Sequence, residues 1–253
     1  MSRLFICMIG LWVFLIPRAW ADTPSVAVLE ETIAKMDRTL NPGSAEYFIK
    51  VINEVPGKEP DEYILYAVNK DNKWAGVVTV PEAFKGRAAM RVDNQIWYHV
   101  PGELKPRQGE LQNSIIHGVL EYRILFRIDD APYYRPQLIS ADESRLAVEL
   151  IPRQTGSNLY NRVMVIDRKL NLPQTETLFS SVGNPLKEIT YQDVRQLGSF
   201  PPRPSRVVVK SLINVGYTTT MILGWVKPRA LQDEVFTPSF FPQVGTLLKS
   251  YEP

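Results

Sequence analysis

The sequence has one cysteine, Cys7, and two histidines, His99 and His117. Cys7 lies in an N-terminal apolar stretch that we expect to be removed from the mature protein. Without a thiol, the mature chain is excluded from disulfide frameworks, thiolate zinc sites and cysteine nucleophiles. An exported chain without disulfides fits a bacterial envelope better than a small disulfide-rich extracellular domain.

Motifs for bond-breaking chemistry are also lacking. The sequence contains no Gly-x-Ser-x-Gly elbow, phosphate-cradling loop, dinucleotide fingerprint or His-Glu-x-x-His helix. His99 follows Tyr98 in an apolar run and His117 lies in a second one, so both are interpreted as structural. Asp129-Asp130 is interpreted as a solvated helix exit and not as a metal site, because no further ligands follow at regular spacing. The sequence therefore predicts a non-enzymatic protein that needs no metal or cofactor.

An excess of charge of either sign is missing as well. The chain has 29 basic and 27 acidic residues, and two of the basic ones, Arg3 and Arg18, lie in the first 21 residues. Removing that segment leaves 27 of each sign, since 29 minus 2 is 27. This balance gives no indication of binding to nucleic acid or to an anionic membrane surface.

The first 21 residues have the pattern of a cleavable signal peptide. Arg3 precedes an apolar stretch, Leu4 to Ile16, and Ala19-Trp20-Ala21 has the small residues of a cleavage site. The stretch is much shorter than the roughly 20 residues that a membrane-spanning helix needs. We therefore expect cleavage after Ala21, a periplasmic location and one mature domain over residues 22–253.

Helical periodicity is found at two places. Val26, Leu29, Ile33, Met36 and Leu40 recur every three or four residues and predict a helix, which Asn41-Pro42-Gly43 ends. Residues Ser114 to Ile128 predict a second helix whose apolar arc is wide, which favours burial on more than one side.

The remaining sequence is typical of antiparallel strands. Short runs rich in Val, Ile, Tyr and Trp alternate with turn residues, among them Asp71-Asn72 and Asp93-Asn94, which tolerate left-handed backbone angles. The segment from Phe200 to Pro204 is interpreted as an extended connector because of its prolines. The predicted strands are Tyr47–Val55, Glu62–Asn69, Lys73–Val80, Arg87–Val92, Gln95–Val100, Arg145–Ile151, Leu159–Asp167, Gln174–Ser180, Pro185–Asp193, Arg206–Asn214 and Tyr217–Val226.

This order of elements predicts a mainly β (α+β) fold. Consecutive strands without alternating helices exclude a doubly wound parallel sheet. A sheet of this many strands has to curl or split. We expect a single curled antiparallel sheet that forms an incomplete β-barrel, with helices as a lid over its concave face.

Three parts of the sequence share an order of Pro, Gly, aromatic and hairpin residues that extends along nearly the whole mature chain. They are Pro81 to Pro101, with Gly86, Trp97 and Tyr98; Tyr160 to Asp167, followed by Leu172-Pro173, Gly183 and Leu186-Lys187; and Thr219 to Val226, followed by Phe236-Thr237. In this order and spacing the chain resembles the outer-membrane lipoprotein-sorting family, the LolA- and LolB-like periplasmic carriers.

The resemblance implies a lipid or lipoprotein carrier that shields acyl chains between sheet and lid during transport to the outer membrane. Its implied partners are a lipid or the acyl chain of a lipoprotein, with an inner-membrane transporter or an outer-membrane acceptor, and we expect a monomer. One departure stands out. Many relatives have a polar, Asp-containing segment after the central glycine, whereas Gly118 precedes the apolar Val119 to Phe126. Either this lid packs more permanently or the ligand differs.

Candidate ligand-facing residues come from the sheet and from the predicted central helix. Strand alternation establishes only that Ile96 and Trp97 face opposite ways. An envelope regulatory or scaffolding module that senses lipid or protein is the alternative function, and a lipid hydrolase is a third. The residues that we expect to line a lipid cavity are Trp74, Met90, Trp97, Ile116, Leu120 and Ile124.

The structural interpretation of the histidines is testable. Replacing His99 and His117 together should leave binding of a fluorescent acyl probe intact, because neither is expected to act as a base or a ligand. Loss of function in a variant that keeps its fold would contradict this interpretation.

Overall fold

A single antiparallel sheet makes up most of the protein. The structure is a computed structural model that describes residues 24–41, 43–93, 95–110, 113–114, 116–154 and 159–250, so the expected signal peptide, residues 1–21, lies outside the described residues. The strands are β1 (Ala45–Glu54), β2 (Asp61–Lys70), β3 (Lys73–Val80), β4 (Ala88–Val92), β5 (Gln95–His99), β6 (Arg107–Gly109), β7 (Tyr134–Ala141), β8 (Arg145–Pro152), β9 (Asn161–Asp167), β10 (Leu172–Phe179), β11 (Pro185–Arg195), β12 (Arg203–Ser211) and β13 (Thr218–Pro228).

The strand order explains both the curl and the opening of the sheet. The order is β6-β5-β4-β3-β2-β1-β13-β12-β11-β10-β9-β8-β7, so two meanders meet where β1 pairs with β13. Strands β6 and β7 are the free edges, although they are consecutive in sequence. The chain between them must therefore pass from one edge to the other. The predicted fold class, an antiparallel sheet not closed into a barrel, is confirmed.

Most strand predictions are confirmed to within three residues at either end. Asp71 and Asp93 have φ near 51°, as their hairpin turns require. Strands β6 and β7 were not predicted, because β6 has three residues and β7 contains Pro136.

The interpretation of Phe200 to Pro204 as a connector is wrong at its end, where Arg203 and Pro204 belong to β12. Pro204 pairs with Val194 of β11, while the ladder to β13 begins only at Arg206. Proline is tolerated here because β13 has no residue paired with it, so no hydrogen bond to β13 requires its N–H.

The predicted N-terminal helix is confirmed as α1 (Val26–Leu40). The Ser25 side chain accepts a hydrogen bond from the Val28 backbone N–H at its start. Leu29, Ile33 and Met36 are buried in one apolar cluster with side chains of β7 to β9. We call the sheet face that contacts α1 the inner face. Among the described residues, no helix is long and apolar enough to cross a membrane.

The predicted helix over Ser114 to Ile128 is wrong except for α2 (Tyr122–Leu125). We call residues 116–131 the lid segment; it crosses the inner face between the two edges. Gly118 has φ +109°, which breaks a helix. The His117 carbonyl accepts a hydrogen bond from Asn53, and the Val119 N–H donates to Thr219 Oγ1 at 3.1 Å. Hydrogen bonds to the sheet therefore replace helical ones.

Buried ion pairs fix the other end of the lid segment. Asp130 accepts two hydrogen bonds from Arg162 of β9, and Arg162 is fully buried. The Arg162 Nε donates to Glu176 of β10, which also accepts from Arg123 Nη2 at 2.9 Å. Burial alone would raise the pKa of Glu176, but Arg162 and Arg123 hold it well below its usual range.

The expectation that Asp129-Asp130 forms a solvated exit is wrong for Asp130. Its side chain is 1% exposed and faces a guanidinium on the inner face of the sheet. Arg162 and Met164 lie two residues apart on β9, so both side chains face the inner side of the sheet. A buried guanidinium there needs a carboxylate partner, and Asp130 of the lid segment provides it.

Asp37 of α1 is hydrogen-bonded to the same end of the lid segment. Its Oδ2 accepts hydrogen bonds from the backbone N–H groups of Asp130 and Ala131 at 2.8 and 2.9 Å. Burial, followed by the charge of Asp130, raises the pKa of Asp37 from 3.8 to about 7, while Arg127 opposes part of this rise. The helix is thus tied to the lid segment by a carboxyl group that resists ionisation.

The outer face of β2 to β4 is covered by the C-terminal segment. It contains two 3-10 helices, Asp233–Phe236 and Phe241–Ser250. Phe236 and Phe241 are buried there in one cluster with Val68, Val77 and Met90. This part of the sheet is therefore covered on both faces.

Gly118→Ala should destabilise the protein more than glycine replacement in a free turn. A Cβ at this position would collide with the Asn53 side chain, and L-residues disfavour positive φ by roughly 1–2 kcal/mol. Urea unfolding should show a loss well above that backbone cost. Gly183→Ala is the matched control, because its φ is +84° and no neighbouring atom lies within 4 Å of the added Cβ. Equal losses in the two variants would contradict the anchoring role of Gly118.

Asp37→Asn should change how stability depends on pH. Because the folded pKa of Asp37 is raised, its contribution to the free energy of unfolding is present below about pH 4 and is lost as the pH rises towards about 7. The asparagine side chain does not titrate, so the variant should gain stability relative to wild type over this window. The gain is at most about 1.4 kcal/mol per pH unit and levels off above it.

Urea unfolding from pH 2.5 to pH 8.5 measures this difference, and profiles that are parallel above pH 4 would contradict it. Asp142→Asn is a control of opposite sign. Backbone hydrogen bonds from Ser144 and Arg145 lower the pKa of Asp142. Its contribution is present above the ordinary aspartate pKa and is lost as the pH falls.

Candidate functional site

A cavity lies between the lid segment and the inner face, at the junction of the two meanders. Its empty volume is about 1030 Å³, including the part of its mouth that is open to solvent. Strands on both sides of the β1–β13 pair supply its walls. The apolar wall residues from the sheet are Tyr47, Ile49, Trp74, Val207, Met221, Leu223 and Val226, and those from the lid segment are Ile124, Leu125 and Phe126.

Trp74 forms a flat part of the wall because of the glycine beside it. A Cβ on Gly76 would overlap the Trp74 ring, so only glycine lets the indole lie flat along β3. On its other side the Trp74 ring contacts the Phe126 ring, with centroids 4.4 Å apart. The Phe126 ring in turn stacks on the Tyr122 ring, with the two centroids 5.0 Å apart. The aromatic rings therefore join sheet and lid segment on this side of the cavity.

Two arginines give the cavity a positively charged end. Arg91 of β4 and Arg203 of β12 line it and are 3% and 4% exposed. Burial lowers the pKa of Arg91, and it lowers the pKa of Arg203 from 12.5 to about 10. Burial also raises the pKa of the Tyr47 phenol, which both arginines oppose, so this hydroxyl stays protonated. We call Arg91, Arg203 and the Tyr47 hydroxyl the polar end of the cavity.

The six sequence-predicted ligand residues do not lie together. Trp74 and Ile124 line the cavity, whereas Ile116 and Leu120 are buried in the same apolar cluster without lining it. Met90 is buried on the outer face, where Trp97 packs beside it against the C-terminal segment. On β4 and β5 the inward residues are Ala89, Arg91, Ile96 and Tyr98.

Sequence reasoning missed most of the cavity wall. Alternation along β1 places Tyr47, Ile49 and Val51 on one face, and this signal was available in the sequence. Leu223 and Arg203 had no such signal, because their position depends on β13 pairing with β1 across the chain.

The two histidines lie outside the cavity lining. His117 is exposed and contacts the Phe84 ring edge-on at 5.0 Å, and His99 is half-buried on β5. Over the part of the chain that the structure describes, no group of three His, Cys, Asp or Glu side chains could hold a metal ion.

Comparison with known proteins gives the family and the fold. A family model described as an uncharacterized protein matches residues 70–243. A search of curated proteins gives no match. A LolA superfamily protein from Nitrosomonas europaea has a similar structure, with a TM-score of 0.75 and 20% identity over 83% of this chain and 98% of that one.

Two further solved structures agree. A putative outer membrane lipoprotein-sorting protein domain from Vibrio parahaemolyticus has a TM-score of 0.72 and 14% identity, covering 83% of this chain and 97% of its own. A DUF1329 family protein from Desulfovibrio piger has a TM-score of 0.73 and 16% identity, and the match covers 86% of this chain and 99% of that one. The chain thus belongs to the family that the matching model describes as an uncharacterized protein, and its fold is that of the LolA superfamily.

Proposed function

We propose that this protein is a periplasmic lipid or lipoprotein carrier that shields acyl chains in the cavity between the lid segment and the sheet. The observation that carries the proposal is the cavity itself, which has apolar walls and an open mouth. Transfer of a chain from water into such a site stabilises the complex by about 0.8 kcal/mol per buried methylene. The LolA-like fold supports a role in lipoprotein sorting.

The proposal makes the protein a binding protein and not an enzyme. Among the described residues, the cavity lining contains no histidine, no cysteine and no serine–base pair. The serine in that lining, Ser205, donates its hydroxyl hydrogen to the Asp193 carbonyl at 2.8 Å. Hand-over to an inner-membrane transporter or an outer-membrane acceptor would follow from the resemblance to the carriers.

The ligand enters through the mouth of the cavity and not by opening of the lid segment. Lifting that segment would separate Asp130 and Arg123 from the buried Arg162 and Glu176. Breaking a buried pair in this way typically costs about 3–5 kcal/mol. A lid that packs more permanently than in the carriers agrees with the apolar residues after Gly118.

Within this site, Trp74 and Ile124 contact the acyl chain directly. Ile116 and Leu120 act behind them by holding the lid segment against the sheet, since both are buried in the same cluster. Met90 and Trp97 have no direct contact with a ligand in this cavity, because they lie on the outer face.

Mass spectrometry of gently purified protein is the first test. Acyl-chain ligands should co-purify, and the protein should bind fluorescent acyl probes. Repeated absence of both would contradict the proposal. Recovery of one stoichiometric protein partner, with binding unaffected by lipid, would favour a regulatory or scaffolding module.

Leu223→Trp should block ligand binding without unfolding the protein. Leu223 is only half-buried because it faces the cavity, so the larger indole can occupy the space meant for an acyl chain. Affinity for an acyl probe should fall at least about tenfold, which corresponds to roughly two buried methylenes.

Ile222→Trp is the matched control for this variant. Ile222 is the adjacent residue of β13, is also half-buried and pairs with Lys50 on the other face of the sheet. The two variants add the same side chain to opposite faces. Equal affinity for the probe in both would contradict a binding role of the cavity.

A further inference from the structure

The polar end of the cavity holds two buried guanidinium groups that lack carboxylate partners among the described residues. We propose that Arg91 and Arg203 bind the anionic head group, a phosphate or a carboxylate, of an amphiphile whose acyl chain lies along the apolar wall. This inference rests on the proposed function, because it assigns the head-group chemistry of the ligand that the cavity is proposed to hold.

Arg91 makes few of the hydrogen bonds that a guanidinium can donate. Its Nη1 donates to the Asp93 carbonyl at 3.2 Å, while its Nε is buried without a partner. A guanidinium has five N–H donors. Arg91 therefore retains donors for a ligand in the cavity that it lines.

Arg203 is in the same situation on the opposite meander. Its Nε and Nη1 reach the carbonyls of Pro201 and Leu40 at 3.4 and 3.3 Å, both long for hydrogen bonds. Its Nη2 is buried without a partner, and the Phe200 ring lies 5.3 Å from its central carbon. In the part of the chain that the structure describes, its partners are carbonyl oxygens and a ring face, and none is a carboxylate.

Three carboxylates lie near the polar end, but none of them forms an ion pair with either arginine among the described residues. Asp71 lines the cavity and is exposed in the β2–β3 turn. Asp129 and, more weakly, Asp93 act on Arg91 through their charges; Asp129 accepts a hydrogen bond from Asn41, and Asp93 is exposed.

The other cations that line the cavity do have carboxylate partners. Arg123 pairs with Glu176 at 2.9 Å, Lys73 with Asp233 at 2.8 Å, and Arg127 lies 3.8 Å from Asp130. Among the described residues that line the cavity, Arg91 and Arg203 are thus the two cations without a carboxylate within 4 Å.

An unpaired buried charge is costly to a folded protein unless an anion completes the site. The planar fork of arginine matches the oxygens of phosphate and carboxylate and can bond them bidentately. An anionic head group would meet both arginines and the hydroxyl of Tyr47, while the chain below it contacts Ile49 and Leu223. The ligand is therefore an anionic amphiphile and not a neutral lipid.

The decisive experiment compares two ligands that share one acyl chain. Oleoyl lysophosphatidic acid and monooleoylglycerol differ by the phosphate, and each is titrated against a fluorescent acyl probe bound to the wild-type protein. We expect the phosphate-bearing ligand to displace the probe at a concentration at least about tenfold lower, as for a hydrogen bond to a charged group. Millimolar inorganic phosphate should not displace the probe.

The variant Arg91→Gln/Arg203→Gln should lose this preference while it still binds monooleoylglycerol. Arg91→Lys/Arg203→Lys keeps the charge and should retain part of the preference. Arg206→Gln is the matched control, because Arg206 is exposed and lies on β12 three residues from Arg203. Thermal unfolding of each variant verifies that the fold is kept, and the wild-type ligand comparison does not depend on it.

Each result decides between distinct conclusions. Binding of both ligands with equal affinity would overturn the anionic site but leave the carrier function standing. Binding of neither ligand, with no bound probe to displace, would overturn the carrier function itself. A preference that survives in Arg91→Gln/Arg203→Gln, or displacement by inorganic phosphate as strong as by the lipid, would also overturn the inference.

Discussion

The buried pair of Arg162 and Asp130 is the interaction on which the arrangement of this protein depends. The open sheet has two free edges that are consecutive in sequence, so the chain between them has to cross the inner face. Arg162 offers a fully buried cation on that face, and Asp130 of the lid segment neutralises it with two hydrogen bonds. Glu176 then balances both Arg162 and Arg123. Without the lid segment in place, Arg162 would keep Glu176 but lose the two hydrogen bonds to Asp130, and losing one partner of a buried ion pair costs far more than losing apolar contacts alone.

The same electrostatic principle divides the interior into two parts. Under the lid segment, cations and carboxylates are matched, and even the raised pKa of Asp37 fits a region that already holds Asp130. At the junction of the meanders this pairing ends, because Arg91 and Arg203 donate hydrogen bonds only to carbonyl oxygens among the described residues. The first part is complete as folded. The second part would gain stability from the proposed ligand, and such a gain is what distinguishes a binding cavity from imperfect packing.

Local sequence signals predicted the strands, the first helix and the hairpin turns because each depends on neighbouring residues. Such local signals are the alternation of apolar residues along the strands, the end of the first helix at Asn41 and the left-handed backbone angles at Asp71 and Asp93. The central helix was predicted wrongly because the spacing of apolar residues does not show the positive φ of Gly118. It also does not show the hydrogen bond that Asn53 donates from a distant strand. Of the residues expected to face a lipid, Trp74 and Ile124 lie in the lining of the cavity, and their contact with a ligand stays a prediction. The residues from β12 and β13 could not be predicted, since they reach the site only through pairing between the two ends of the chain.

That long-range pairing also determines what kind of ligand the cavity can hold. Because β1 pairs with β13, the wall joins Ile49 from the first meander to Leu223 from the second, with one arginine contributed by each meander at the polar end. A neutral ligand would use only the apolar wall and leave Arg91 and Arg203 unpaired. An anionic amphiphile would use both meanders at once, so its binding would also stabilise their junction. The proposed site therefore links the fold to one lipid class: acyl phosphates, and not neutral glycerides, are expected to stabilise the protein.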